Sequence, residues 1–579
     1  MRRFLMMIFF LFLIIPCCCF FLPLILPTSI STSTISPPIV TLIPSTSSPT
    51  KLPTLTSTPL PTSTTAPATP TPSPTAAGFS VYYHPDDVLY VSDQVSLEVV
   101  SPAGVDVKDA SLLLQVDPPA GPKFDPVKFG AWGIQGRQEA TLLWVWDTHD
   151  LDPVTHTLAF SVQPEGYDWT EEVSLLPASD MPPDQANARW ASTQTQCCSV
   201  FYITDTASER DLTTLTSLID EQAQDAIAKM GSTLTQPITV TILPRLLGHG
   251  GFTSSEISVS YLDRNYASNA WDLVVHHEMI HAIDGHLGGD FRPSIFVEGL
   301  AVYLTGGHYK PEPLMPRAAT LLDGYLDMYI PLKTLANDFY TSQHEIGYLE
   351  GAALIEYMVN TYDWQAFSAF YRDIHMKQGE SQSDSIDAAL KVHFSISFDQ
   401  LEQGFITALK AEPDTPAWVD DVRLTVSYYD TMRTYQQLLD PSAYFRTAWL
   451  LDNKAMRQHG IVADYLRHPH QPDNLALETL FITAGEQMAA KAYPDATHTL
   501  EVISSILDAI ERGTADPFSL SSLTADYISI SSALQAQGYE TQNIQVLADA
   551  ATVGATTSAG PDLIPLHLQR TARGWTLIP

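Results

Sequence analysis

The sequence predicts a multidomain α+β protein with separate β-rich and helix-rich regions. Residues 78–178 carry short alternating apolar runs that are typical of strands. Residues 179–412 mix strand patterns with long helical patterns, and residues 413–579 are mostly helical in pattern. The length of 579 residues independently implies roughly three or four domains.

Residues 1–27 form a predicted targeting segment. Two arginines precede an almost unbroken apolar run over residues 4–26, close to the roughly 20 residues that span a bilayer. The segment is either a signal peptide or an uncleaved anchor, and no clear small-residue cleavage site follows it. The cysteines at 17–19 would permit lipidation, although Pro16 stands where a small residue should precede the lipidated cysteine. We expect an extracellular protein that this segment anchors to the cell membrane.

Residues 28–77 are a low-complexity linker of Ser, Thr and Pro. This composition cannot bury a core, so we expect a disordered, extended spacer. Such a spacer would hold the following domains away from the cell surface.

Residues 78–178 predict an immunoglobulin-like β-sandwich. Short alternating runs recur there at the spacing of about 8–12 residues that is typical of sandwiches, with turn residues between them. The predicted strands are 79–83, 94–100, 110–116, 140–146, 155–162 and 169–176.

A His-Glu-x-x-His (HExxH) motif lies at residues 277–281. Its histidines are four residues apart, so on a helix both imidazoles share one face and can bind the same metal ion. Glu278 then lies beside the metal, where it can polarise a water, as in the core of a zinc peptidase. The motif falls inside an amphipathic pattern that ends near Gly285, so we expect it in mid-helix. The alternative is a helix with two surface histidines.

A third ligand is expected from the segment after the motif. A third histidine in the HxxGxxH spacing is absent, because Gly285 and His286 are both out of place. The next predicted helix begins at Pro293, and Glu298 is its only acid among apolar residues. An unpaired buried carboxylate is costly, whereas one bound to a metal is not. Glu298 is therefore the candidate third ligand, and the small Gly299 beside it suits close helix packing.

Together these residues resemble a known family. The HExxH motif, followed by Pro293 and the segment Glu-Gly-Leu-Ala-Val-Tyr at residues 298–303, is similar to the gluzincin (peptidase MA-like) zinc metallopeptidases. The resemblance covers about residues 195–410 and is strongest at the two motifs. It implies a gluzincin-type metallopeptidase domain over residues 179–412.

The resemblance also implies a ligand set. His277, His281 and Glu298 would bind one Zn²⁺ ion, and Glu278 would be the general base. One position departs from the family pattern: thermolysin-type gluzincins place an Asp four residues after the ligand glutamate to orient the first histidine, and this chain has Val302 there. The partner that orients His277 must therefore come from elsewhere or be a backbone carbonyl.

Strand patterns precede the motif. Residues 199–204, 238–243 and 257–262 have the composition of strands, and residues 208–230 have an amphipathic helical pattern. The resemblance implies that the strand directly before the motif helix is a sheet edge that pairs with the substrate backbone. We therefore predict that residues 257–262 form the edge strand beside the active site.

The reaction also needs a hydrogen-bond donor opposite the metal. The resemblance implies a Tyr or His from a later helix. Tyr348, which opens an apolar helical pattern, is the first choice as a catalytic residue, and His344 is the second; Tyr340 lies in the same stretch. Packing or helix capping is the alternative role for these side chains. Three further histidines are expected at the rim or in packing: His276, His286 and His308.

Residues 413–579 are predicted to form a separate helical or α+β domain whose function the sequence does not indicate. Helical patterns cover residues 423–439, 443–466, 497–511 and 523–536. Residues 563–568 and 574–577 could form a closing hairpin.

Charge narrows the range of partners. The formal net charge is −35, and no basic run follows the N-terminus. This argues against nucleic acid and against an anionic membrane surface as partners.

Beyond the targeting segment the cysteines are Cys197 and Cys198. Because they are adjacent, they could form a vicinal disulfide, remain thiols or be buried as apolar residues. They are assigned no catalytic role.

The sequence as a whole predicts an exported zinc peptidase that hydrolyses peptide bonds in a peptide or protein substrate. A second hypothesis is an inactive peptidase-fold protein for binding or adhesion at the cell surface, which the intact Glu278 argues against. A third is a structural zinc site in which His286 fills the fourth position.

Overall fold

The computed structural model describes residues 78–86, 88–133, 136–234, 236–245, 250–262, 264–287, 289–446 and 452–578. They form a mixed α+β structure with several β-sheets and many helices. The predicted targeting segment and linker lie outside the described residues. Within the described ranges, no helix is long and apolar enough to cross a membrane.

Two sheets enclose the first apolar core. The first sheet has the order β1-β3-β7-β6 and the second the order β2-β9-β8-β4-β5. At the centre of the core Trp169 stacks on Phe79 and Phe160, with ring centroids 5.3 and 5.0 Å apart. The strands are β1 (Ser80–His84), β2 (Leu89–Tyr90), β3 (Gln94–Val100), β4 (Ser111–Val116), β5 (Val127–Lys128), β6 (Gly130–Trp132), β7 (Arg137–Asp147), β8 (Thr155–Gln163) and β9 (Tyr167–Leu176).

All six strands predicted in this region are present, with ends that differ by at most three residues. The short strands β2, β5 and β6 were not predicted, because two or three residues carry no measurable alternation.

The second region packs helices on a five-stranded sheet of order β10-β11-β12-β14-β13. Its strands are β10 (Trp190–Gln194), β11 (Cys198–Ile203), β12 (Ile238–Leu243), β13 (Gly251–Thr253) and β14 (Ile257–Ser260). Its helices are α1 (Pro183–Asn187), α2 (Ala207–Arg210), α3 (Leu212–Met230), α4 (Trp271–Leu287), α5 (Ser294–Thr305), α6 (Leu314–Ala319), α7 (Leu332–Asn337), α8 (His344–Tyr362), α9 (Trp364–Arg372), α10 (Gln382–His393) and α11 (Phe398–Lys410).

The prediction that residues 257–262 form the sheet edge is wrong. Strand β14 runs parallel to β12 on one side and antiparallel to β13 on the other, so both of its edges are paired. The edge strand on this side is β13 (Gly251–Thr253). Three residues are too few to show a strand pattern, and their pairing with β14 depends on a reversal of the chain that periodicity does not report.

Cys197 and Cys198 form a vicinal disulfide at the start of β11. Both side chains are buried against the helices of the second region. Of the three states that the sequence left open, the structure therefore has the disulfide.

The C-terminal region combines helices with a four-stranded antiparallel sheet of order β15-β16-β17-β18. The predicted hairpin is half of this sheet. The elements are α12 (Val419–Leu439), α13 (Asn453–His459), α14 (Ala463–Leu466), α15 (Pro472–Ala489), α16 (Tyr493–Glu511), α17 (Ser522–Gln535), β15 (Tyr539–Leu547), β16 (Ala550–Thr557), β17 (Gly560–Thr571) and β18 (Gly574–Leu577).

The single helix predicted over residues 443–466 is wrong. Gly460 takes a left-handed conformation with φ of 72° and ends α13, and the short α14 follows. Helix α15 was not predicted, because residues 474–481 are all buried and leave no one-sided apolar pattern.

Buried ion pairs join the C-terminal region to the second region. Arg245 pairs with Asp440, and Arg264 pairs with Glu478, with all four side chains at most 6% exposed. Tyr266 lies inside the C-terminal apolar core. These contacts tie the segment around residues 264–266 to the C-terminal core.

Candidate metal centre

Helix α4 brings the two motif histidines together. His277 and His281 are one turn apart, and their Nε2 atoms are 2.9 Å from each other. His277 is 7% exposed, and His281 is partly exposed towards a cleft. Apolar neighbours on α4, including Val275, Met279 and Ile283, are buried in the core and fix the orientation of the helix.

Glu298 on α5 completes the group. Its Oε2 atom lies 3.3 Å from Nε2 of His277 and 3.2 Å from Nε2 of His281. Helix α5 begins after Pro293, as the sequence predicted, and Glu298 is buried within it. The three predicted ligands therefore converge on one point.

These separations fit a zinc ion. Bond lengths of about 2.0–2.1 Å and tetrahedral angles place ligand atoms about 3.3–3.4 Å apart. The three observed separations of 2.9, 3.2 and 3.3 Å lie within a few tenths of an ångström of that value. Two imidazole nitrogens and one carboxylate oxygen are also a donor set that suits zinc.

Burial and charge act against each other in this group. Burial tends to raise the pKa of Glu298, but His281 and His277 outweigh it and hold that pKa well below its usual range. Burial tends to lower the pKa of His281, but Glu298 outweighs it and raises the pKa to about 9. The side chains are thus close enough to stabilise opposite charges on one another.

Glu278 lies beside the ligand group and contacts the edge strand. Thr253 Oγ1 donates a hydrogen bond of 2.8 Å to Oε2 of Glu278. Burial raises the pKa of Glu278, against the opposing effects of His281 and His277. The edge strand β13 therefore holds the carboxylate that the sequence predicted as the base, and Thr253 is a site residue that the sequence analysis missed.

Tyr340 makes a hydrogen bond to the Glu298 oxygen that does not face the histidines. The Tyr340 hydroxyl donates to Oε1 of Glu298 at 2.5 Å, so this carboxylate faces the histidines with one oxygen and the phenol with the other. Burial, followed by the charge of Glu298, raises the pKa of Tyr340, so the phenol keeps its proton. In the described part of the chain Nδ1 of His277 is buried without a hydrogen-bond partner, and Val302 offers none.

Tyr348 lies next to the first histidine. Its ring centroid is 6.1 Å from that of His277, and it stacks on His308 at 4.1 Å. Among the described residues its hydroxyl makes no hydrogen bond. His344, one turn earlier on α8, contacts the same ring at 4.3 Å. Both candidate donors therefore line the cleft beside the ligands. The Tyr348 ring contacts His277 itself, whereas His344 contacts the Tyr348 ring.

Two glycines permit this arrangement of α5 and α8. A Cβ atom on Gly299 would lie 2.5 Å from the backbone of Gly351, and one on Gly351 would lie 2.9 Å from the Ile295 carbonyl oxygen. The helices therefore touch backbone to backbone. Because Glu298 precedes one glycine and Tyr348 lies about one turn before the other, this contact sets their relative positions.

A cleft of about 1220 Å³ opens over the group and is bordered by β13. His308 lines it, as expected for a rim residue. His276 is packed away from the metal ligands and contacts Thr305 and Asp225 at 2.8 Å each. The side chain of His286 lies outside the described part of the structure.

Comparison with known proteins adds no family assignment: no family model matches the sequence, and no curated protein matches it.

Proposed function

We propose that the protein is an exported, zinc-dependent peptidase of the gluzincin type. The observation that carries the proposal is the convergence of His277, His281 and Glu298 on one point beside Glu278, in a cleft large enough for a peptide. The order of the motifs along the chain supports the same family.

Each residue has a distinct role in this proposal. Zinc held by His277, His281 and Glu298 would supply Lewis acidity towards the peptide carbonyl. Glu278 accepts a proton from the attacking water, whose oxygen bonds to the carbonyl carbon. The carbon–nitrogen bond then breaks, and Glu278 passes the proton to the leaving amine. Tyr348 donates a hydrogen bond to the oxygen on which negative charge develops.

We infer structural roles for the other regions of the chain. We infer an immunoglobulin-like accessory domain over residues 78–178, a gluzincin-type domain over residues 179–412 and a mostly helical C-terminal domain over residues 413–579. The apolar segment 1–27 would anchor the protein to the cell membrane, and the linker 28–77 would space the domains from it. Edge strand β13 is the proposed site of backbone pairing with substrate, because it is the terminal strand and borders the cleft.

The test compares wild type with Glu278→Gln and His281→Ala. Zinc content and cleavage of a broad peptide library are measured on all three, after any propeptide has been removed. We expect Glu278→Gln to keep zinc and the fold and to lose turnover by about a hundredfold or more, because glutamine cannot accept the proton. We expect His281→Ala to lose zinc and activity together.

Other outcomes would favour the rival hypotheses. A wild-type protein that binds zinc but cleaves nothing in the library would favour an inactive binding or adhesion protein. Near-normal cleavage by Glu278→Gln would contradict the proposed base. A zinc site with a fourth protein ligand would indicate a structural role for the metal.

A further inference from the structure

An arginine lies over the HExxH helix one turn beyond the metal ligands. A Cβ atom on Gly285 would lie 3.9 Å from Nη1 and 4.0 Å from Nη2 of Arg292, so the guanidinium sits directly above Gly285. Gly285 follows His281 by four residues, which is about 6 Å along the helix. Both Gly285 and Arg292 line the same cleft as the metal ligands.

A buried carboxylate, Asp284, holds the Arg292 side chain in position. Its Nη1 donates to Oδ2 of Asp284 at 2.9 Å, and the Tyr371 hydroxyl donates to the same oxygen at 2.8 Å. Asp284 is 4% exposed, so this anchor is inside the protein. The Arg292 side chain lines the cleft and is 34% exposed. Of its three nitrogens Nη1 contacts Asp284, so donors remain for a ligand in the cleft.

Arg433 is the second arginine of the described cleft lining, and it has fewer donors left for a ligand. Arg433 contacts both carboxylate oxygens of Glu345, and its side chain is 11% exposed. Its charge and both of its terminal nitrogens are engaged within the protein. Arg292 is therefore the cation of this lining that can bind a group on the substrate.

We propose that Arg292 forms a carboxylate-binding subsite within about two residues of the cleaved bond. The distance follows from the geometry: about 6 Å separates Gly285 from His281 along the helix, and an extended peptide advances about 3.3 Å per residue. A planar guanidinium with free N–H groups is the side chain best suited to a carboxylate. The carboxylate is either a substrate Asp or Glu side chain or the free C-terminus, and this inference rests on the proposed peptidase function.

The test measures binding separately from catalysis. Zinc-loaded Glu278→Gln protein, as the full chain, is immobilised and exposed to three pools of N-acetylated hexapeptides randomised over uncharged residues. One pool ends in a free carboxylate, one ends in an amide, and one ends in an amide but carries a single internal Glu. Retention of each pool is read by mass spectrometry. We expect at least roughly tenfold greater retention of one or both carboxylate pools than of the neutral pool.

Adding Arg292→Gln should reduce that ratio to about one without loss of zinc. Arg423→Gln is the matched control, because Arg423 is exposed on α12 and its removal changes the net charge equally. If Arg292→Gln does not fold, Arg292→Lys keeps a charge near Asp284 but loses the planar pair of donors, and it should lower the ratio several-fold. Whichever carboxylate pool is retained identifies the source of the group.

Equal retention of all three pools, including no retention of any, would overturn the proposal. So would a loss of the ratio in Arg423→Gln, because the preference would then reflect overall charge. Wild-type protein that cleaves none of the pools, while Glu278→Gln retains the carboxylate pools, would refute the peptidase function and leave the subsite standing.

Discussion

The Tyr340 hydroxyl donates a 2.5 Å hydrogen bond to Oε1 of Glu298, while Oε2 of the same carboxylate faces the two motif histidines. Tyr340 belongs to a single turn of 3₁₀ helix, Phe339–Thr341, directly before α8. Val302 stands where an acid on the helix would orient His277, and Nδ1 of His277 has no hydrogen-bond partner among the described residues. The hydrogen bond that orients a ligand from outside the group is made instead to Glu298. We therefore expect the Tyr340–Glu298 hydrogen bond to strengthen zinc binding.

Tyr340→Phe should weaken zinc binding by about 10- to 100-fold, because it frees the Glu298 carboxylate to rotate. The ring contact with Phe339, at 5.4 Å, survives the substitution, so the fold should not change. Zinc affinity is measured by competition with a chelator. Tyr329→Phe is the control, since it removes a similar Tyr–Glu bond, to Glu402, away from the site. Unchanged zinc affinity with reduced turnover would mean that the Tyr340 hydroxyl acts on substrate.

Tyr348→Phe should lower kcat by about 10²- to 10³-fold, with little change in zinc affinity or KM, because it removes the donor for the developing negative charge. The stacking of the ring on His308 is retained. Tyr362→Phe, near the end of the same helix, serves as the control. A Tyr348→Phe enzyme with nearly normal kcat, beside an inactive His344→Gln enzyme, would transfer the role to His344.

Glu478→Gln should lower the free energy of unfolding by about 3–5 kcal/mol, because Arg264 would lose its buried counter-charge. Glu478 is fully buried and also accepts a hydrogen bond from Tyr435 at 2.5 Å. Urea denaturation measures the effect. The exposed ion pair of Asp420 with Arg423 provides the control, and Asp420→Asn should cost less than about 1 kcal/mol. If the C-terminal region unfolded independently, Glu478→Gln would move one of two transitions and leave the other unchanged.

Glu139→Gln should stabilise the protein more at pH 8 than at pH 5. Burial and the nearby Glu98 raise the pKa of Glu139 to about 7, against the opposing effect of Arg137. The unfolded value is about 4.3, so the native state binds the extra proton and loses stability as the pH rises from about 4.5 to 7. Glutamine removes this loss.

Thermal unfolding of wild type and Glu139→Gln at both pH values measures the difference. Glu165→Gln, in the exposed turn between β8 and β9, is the control. If Glu139→Gln shifted the melting temperature equally at pH 5 and pH 8, the raised pKa of Glu139 in the folded protein would be contradicted.

The parts of the structure that are set by local sequence were predictable. The spacing of His277 and His281 fixes their common face on a helix, and a lone acid among apolar residues marks Glu298. The six longer strands of the first region follow short apolar runs that are visible in the sequence. In each of these cases the relevant residues are close together in the chain.

The parts that depend on distant contacts were not predictable. Strand β13 acquires its place at the sheet edge by pairing with β14, and Thr253 reaches Glu278 across 25 residues. Tyr340 reaches Glu298 across 42 residues, and the turn that carries it has no apolar period. Arg264 finds Glu478 across 214 residues. Long-range hydrogen bonds and ion pairs of this kind leave no periodic trace in the sequence.

The central claim is that His277, His281 and Glu298 bind one zinc ion. Metal analysis combined with zinc K-edge X-ray absorption of the purified full chain tests it most directly. We expect one zinc per chain, two nitrogen ligands at about 2.0–2.1 Å and a carboxylate oxygen at about 2.0–2.2 Å. We also expect no retained zinc in a His277→Ala, His281→Ala double variant. A wild-type chain that retains no zinc after loading and dialysis, or a double variant that retains it fully, would contradict the claim.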